Sequence, residues 1–231
     1  MTARNGRAGT DAVVRTDADP GVGTGARASR GAASPRPRLG DLTIRPLDAA
    51  AWDALAALFE RPGDPRWCWC AYWRRSGTSW ASHDVADNRS ALRALADAPV
   101  APGLVAFRGD VAVGWVAVAP RRDYVRLERS RTIPHLPGEG VWAITCFVVA
   151  KEVRRSGVAQ LLLRAAVDFA RVHGAREVEG YPVRTAGRRV PSALAYTGTL
   201  GMFERAGFAV AAETASRPHP GATRVVVRLE A

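Results

Sequence analysis

Arg154, Gly157 and Ala159, spaced as R-x-x-G-x-A, are the residues of this chain best placed to do chemistry. The apolar run 142–149 (WAITCFVV) that precedes them has strand length. After them Val158, Leu161, Leu162, Ala165, Ala166 and Phe169 recur at the spacing of one helix face. A strand that enters a helix through small residues makes a seat for a phosphate chain. Gly157 and Ala159 let a ligand approach the backbone, and the first-turn N–H groups of the helix, which lack carbonyl partners, point at it with the positive end of the helix dipole. Arginine, glycine and alanine are so frequent here that this spacing arises by chance about once in the chain. The inference therefore rests on the strand before the turn and the helix after it.

Other elements must carry that segment. Leu42 to Leu47 reads as a first strand, and Asp48 as the cap of a helix over Ala49 to Phe59. Ser82 to Ala98 reads as a second helix stopped by Pro99. Leu104 to Arg108 and Val111 to Val118 read as a hairpin about Gly109-Asp110. Ala119 to Gly140 is a long Arg-rich connection. Glu177 to Val183 reads as a strand, Tyr196 to Arg205 as a short helix, and Phe208 to Ala212 and Thr223 to Leu229 as the last strands. The order βααβββαβαββ predicts a mixed α/β fold with a mainly antiparallel sheet. Residues 1–40, rich in Gly, Ala, Arg, Ser, Thr and Pro, read as a disordered basic tail, and 41–231 as one domain.

Composition narrows the function. The net charge is +11, of which the first 40 residues contribute +4. Such a balance suits a nucleic acid or a polyphosphate ligand. No DNA-binding motif is present, so nucleic acid is the lesser alternative. A basic site also disfavours polycationic acceptors. The longest apolar stretch, Val111 to Ala119, falls well short of the ~20 residues of a membrane span. No signal-peptide core is visible, and the three cysteines cannot all pair, so a cytoplasmic setting is expected. Cys68 and Cys70 stand as C-x-C, tighter than the C-x(2–4)-C of a zinc site, and no metal is expected.

With the Arg154–Ala159 turn and a second block, MFERAGF from Met202 to Phe208, the chain resembles the GCN5-related N-acetyltransferase (GNAT) superfamily over roughly residues 41–231. The resemblance implies a central sheet whose fourth and fifth strands splay apart, with flanking helices. It implies an acyl-CoA donor, acetyl-CoA by expectation, whose pantetheine arm lies along Phe147, Val148 and Val149. The pyrophosphate would sit on Arg154, Arg155, Ser156, Gly157, Val158 and Ala159. The acyl group would pass directly to a primary amine of a small molecule or peptide. The Phe147 N–H is the group that would polarise the thioester carbonyl. The protein would be a monomer or a homodimer.

The chain departs from the family in two places. The family often carries a general-acid Tyr where Phe203 stands here, and a Glu base early on the fourth strand, where Trp142 to Thr145 offer no carboxylate. Tyr196, seven residues before Phe203 and so on the same face of a continuous helix, is the substitute acid. Thr145 is a candidate to hold a catalytic water. Glu139, Asp123 and His135 are further candidates for the base. Trp69, Tyr72 and Trp73, from the aromatic segment Arg66 to Trp80, are candidate walls of the acceptor pocket, the alternative being that they pack against the sheet. The missing groups leave a non-catalytic CoA-binding module as the alternative function.

Overall fold

The two longest apolar strands, β3 (Val111–Pro120) and β4 (Val141–Val149), pair antiparallel at the middle of the sheet. Both are buried almost throughout, as strands covered on two faces must be. The computed structural model describes residues 41–61, 66–185, 187, 191 and 195–231; the expected N-terminal tail lies outside these. β2 (Gly103–Arg108) joins β3 by the expected hairpin, and β1 (Leu42–Pro46) lies outside β2. On the other side β4 runs parallel to β5 (Glu177–Gly180), which pairs antiparallel with β8 (Thr223–Glu230). β8 also carries β6 (Val183–Arg184) and β7 (Ala209–Glu213). The sheet order is β1-β2-β3-β4-β5-β8-β6, with β7 on β8. Every pairing but β4–β5 is antiparallel.

Two features of β4 shape the site. Its pairing with β5 covers only Val141–Ile144 against Glu177–Gly180. β4 then continues to Val149 with no β5 partner, which is the expected splay. Its register against β3 also shifts between Ala117/Val118, which face Cys146 and Ile144, so Thr145 is an inserted residue. Such a bulge reverses the alternation of side chains. Trp142 accordingly packs on Phe169 and His173, whereas Cys146, four residues on, reaches Cys70 on the opposite face.

The helix after the turn, α5 (Val158–Val172), buries Val158, Leu162, Leu163, Ala166, Val167 and Ala170 against the sheet. Leu162 and Leu163 alone contribute roughly 3–6 kcal/mol by burial. On the other face α1 (Trp52–Phe59) packs on β3 through Phe59 and Trp115, with its entry capped by Asp48 Oδ1, which accepts the Ala51 N–H at 2.8 Å. The helix expected over Ser82–Ala98 is α3 (Val85–Ala96), and a separate short helix that was not expected, α2 (Gly77–Ala81), precedes it. Asp84 separates them because it forms a reciprocal capping box with Asp87. Beyond β3 a 3-10 turn and α4 (Val125–Glu128) lay Tyr124, Leu127 and Ile133 over a second small core with Trp73, Ala143, Tyr181 and Val226. The expected strand Glu177–Val183 breaks at Tyr181-Pro182 into β5 and β6. The helix expected from Tyr196 starts only at Leu200, as α6 (Leu200–Glu204), because Gly198 has φ +84°.

Candidate active site

Gly157 is the hinge between the β4 turn and α5. It is the N-cap of α5 with φ +94°, in the left-handed region that side chains disfavour. Arg155, two residues earlier, also has positive φ (+64°), a strained conformation for a residue with Cβ and one that gathers at ligand sites. The first intrahelical bond of α5 runs from Leu161 N–H to the Gly157 carbonyl at 3.1 Å. The N–H groups of Val158, Ala159 and Gln160 precede it and point out of the helix end. Ser156 Oγ donates to the Val153 carbonyl (2.6 Å), and Arg154 Nε donates to the Val149 carbonyl (2.9 Å). Arg154 thus ties the turn to the last residue of β4, Ser156 closes the turn on Val153, and the first backbone amides of α5 are left open at the helix end.

Past Ile144 the edge of β4 faces the splay. There the Phe147 N–H donates to the Tyr196 carbonyl at 2.6 Å. The donor expected for a thioester is therefore engaged by the chain itself. The segment that engages it is anchored to β6: Val183 N–H donates to the Gly198 carbonyl (3.0 Å), and Val183 bridges Thr199. Tyr196 precedes α6, so it does not share the helix face with Phe203 that was expected; the turn before α6 instead holds its backbone against the unpaired end of β4. Burial pushes its phenol well above the usual tyrosine range, so it holds its proton. Phe203 is fully buried and edge-on to Phe147 and Phe208. Gly180 makes room for it, since a Cβ there would stand 2.1 Å from Phe203 Cε1.

The aromatic segment divides between two places. Trp69 is 2% exposed and packs on Trp52 and Phe59 in the main core, so its expected part in the pocket wall is corrected. Tyr72 and Trp73 stand edge-on to each other, and Trp73 stacks on Tyr181 at 6.4 Å on the face that also carries Tyr196. Thr145 is buried at the bulge with its side chain toward the Tyr124 phenol. Of the other base candidates, Glu139 pairs with Arg176, His135 with Glu128 and Asp123 with Arg74, all at partly or fully exposed positions. Cys70 accepts from Trp115 Nε1 (3.1 Å), and its hydrogen bond with Cys146, together with burial and against the opposing bond with Cys68, raises its thiol, which stays protonated. Among the described residues no group of three His, Cys, Asp or Glu side chains is placed to hold a metal ion.

A buried ionic network on this face was not singled out in the sequence. Glu179 on β5, 1% exposed, receives Arg121 Nε at 2.9 Å, Arg228 Nη2 at 2.7 Å and the Tyr181 hydroxyl at 2.5 Å. Burial and the neighbouring carboxylate hold the Tyr181 phenol well above its usual range. Arg224 lies beside the network on β8. For Arg224 the signal was a charge at the head of the apolar run of β8; β5, with the sequence EVEG, carries none for Glu179.

The acetyltransferase (GNAT) family profile matches residues 52–189, more than half of the chain. The chain belongs to the GNAT acetyltransferase family. Solved structures agree with the GNAT fold at low identity. A GCN5-related N-acetyltransferase from Kribbella flavida is 21% identical, with 83% of this chain and 99% of that one covered at a TM-score of 0.50. An N-acetyltransferase from Staphylococcus aureus Mu50 is 12% identical, with 82% and 98% covered at 0.50. The aminoglycoside acetyltransferase AAC(6')-Ib, solved with coenzyme A, is 17% identical, with 82% and 94% covered at 0.50. No curated protein matches the chain. Among the described residues no helix of this GNAT chain is long and apolar enough to cross a membrane.

Proposed function

We propose that the protein is an acyl-CoA-dependent N-acyltransferase, with acetyl-CoA as donor and a primary amine of a small molecule or peptide as acceptor. The domain is residues 41–231, working in the cytoplasm. The observation that carries this reading is the pairing of an open β4 edge with the amide-lined N-terminus of α5 at its end. The residues fit the group: Val158 to Gln160 present N–H donors to a pyrophosphate, and Phe147 to Val149 present an extended edge to an amide-containing arm. The donor supplies an acyl group activated as a thioester.

The chain's own part is orientation and charge stabilisation. The Phe147 N–H, once released from the Tyr196 carbonyl, donates to the oxygen on which negative charge grows. The Tyr196 hydroxyl is the candidate proton donor for the leaving sulfur; burial opposes the loss of its proton, and the Arg224 charge beside it acts in favour of release. Thr145 is a candidate to hold water for the proton that the amine sheds. The test is calorimetric titration of acetyl-CoA, followed by CoA release with a panel of amines. Saturable binding that is lost on Gly157→Leu, together with CoA release, supports the reading. Absence of binding at millimolar concentration, about −4 kcal/mol, overturns it.

One observation favours a second reading, a CoA-binding module without turnover. The Phe147 N–H is already bonded, and Phe203 has no hydroxyl. That reading predicts tight CoA binding with no CoA release from any amine.

A further inference from the structure

On β8, Arg224, Val226 and Arg228 point to the same face, the one over which Trp73 and Tyr181 pack. Arg228 meets Glu177 at 2.8 Å and Glu179 at 2.7 Å. Arg121 meets Glu179 and Glu128. Arg224 is 3% exposed and meets no carboxylate among the described residues. Glu179, the one buried carboxylate among them, is already shared by two arginines and a phenol. Arg224 Nη1 donates to the Tyr181 carbonyl (2.7 Å) and to Thr197 Oγ1 (2.6 Å); its Nε is buried without a hydrogen bond of good geometry, and the Tyr196 phenol lies beside the guanidinium. The guanidinium stands over the Trp73 ring at 5.5 Å and the Tyr196 ring at 5.9 Å. Proteins compensate a buried charge, because leaving one unpaired costs several kcal/mol.

We propose that Arg224 is the anion-binding residue of the acceptor site, and that the acceptor is an amine bearing a carboxylate, of amino-acid type, received beneath Tyr72, Trp73 and Tyr196. This rests on the acyltransferase reading. One edge of the planar guanidinium is spent on Tyr181 and Thr197, and the edge carrying Nε suits a bidentate carboxylate. The spacing selects a short molecule. Thr197, which touches Arg224, is the chain neighbour of Tyr196, whose carbonyl sits on the Phe147 N–H. The anion seat and the Phe147 N–H are thus held by adjacent residues of one turn, which suits an acceptor whose amine and carboxylate are close together. Burial lowers the Arg224 guanidinium from its usual range, yet it stays charged at any physiological pH.

The test is calorimetry of the full-length protein, with and without CoA, against the proteinogenic amino acids and their carboxamides, with inorganic phosphate as control. We expect at least one amino acid to bind about tenfold or more tightly than its carboxamide, as a charge-assisted hydrogen bond requires. Arg224→Gln should erase that preference and Arg224→Lys keep part of it. Should Arg224→Gln fail to fold, by far-ultraviolet circular dichroism, Arg224→Lys and the acid–carboxamide comparison on the unaltered protein decide. Equal binding of acids and carboxamides overturns the proposal. So does a preference that survives in folded Arg224→Gln, binding of phosphate alone, or no binding of any amino acid. Failure of acetyl-CoA to bind is read separately and strikes the acyltransferase reading.

Discussion

At the scale of single residues, the proposed phosphate seat rests not on side chains but on the backbone at Gly157. Its φ of +94° aims the first amides of α5 out of the turn. Replacing it with leucine forces a left-handed leucine or a rebuilt turn. The expected result is loss of CoA affinity by about a hundredfold, the ~1–3 kcal/mol of backbone strain adding to blocked approach; isothermal titration checks it. Tyr196→Phe keeps the ring under Arg224 and removes only the hydroxyl. It should leave CoA binding unchanged and lower kcat by about 10²-fold if the phenol is the acid. Since burial raises that phenol, the wild-type kcat profile should show no fall from Tyr196 titration up to about pH 10. The glycine was legible from sequence because a turn between strand and helix announces it. Tyr196 was legible as a residue type, but its place was not: the phasing that put it on a helix took no account of Gly198, whose left-handed backbone delays α6 to Leu200.

At the scale of elements, β5 is the fragile strand. It spans four residues and carries a buried carboxylate that two arginines and a phenol require. Glu179→Ala leaves Arg121 with only the part-exposed Glu128 and Arg228 with Glu177, and should cost about 3 kcal/mol, the lower end for a broken buried pair, read as a lower midpoint in urea unfolding. Gly180→Ala sets a methyl against the closed Phe203 ring and should cost about 1–3 kcal/mol by overpacking. The central strands and α5 could be read from the sequence because period and apolar content are local. The burial of Glu179 and Arg224 could not. It depends on the connection 121–140 folding back over β5 and β8, where Tyr124, Leu127 and Ile133 exclude water. Nothing in the residues of β5 itself records that cover. The start of α3 at Val85 rather than Ser82 is local, set by the reciprocal capping pair of Asp84 and Asp87.

At the scale of the molecule, three buried tyrosines set an alkaline limit. Burial raises Tyr124, Tyr181 and Tyr196 above the unfolded value of about 10. The folded state therefore keeps protons that the unfolded chain releases. Their contribution is complete below about pH 10 and declines as pH climbs toward the folded values, so the melting temperature should fall steeply above about pH 10. A melting temperature that stays flat from pH 9 to 11 would contradict this. The segment 195–199 has a second, larger effect. It lays the Tyr196 carbonyl on the Phe147 N–H, so on the proposed reading a donor that takes this N–H must first move that stretch of chain. The donor then bears the cost of the displacement, whereas an acceptor on the free edge of Arg224 leaves the Thr197 contact in place. Acyl-CoA should therefore associate more slowly than a preformed site allows, because only the opened form can receive it.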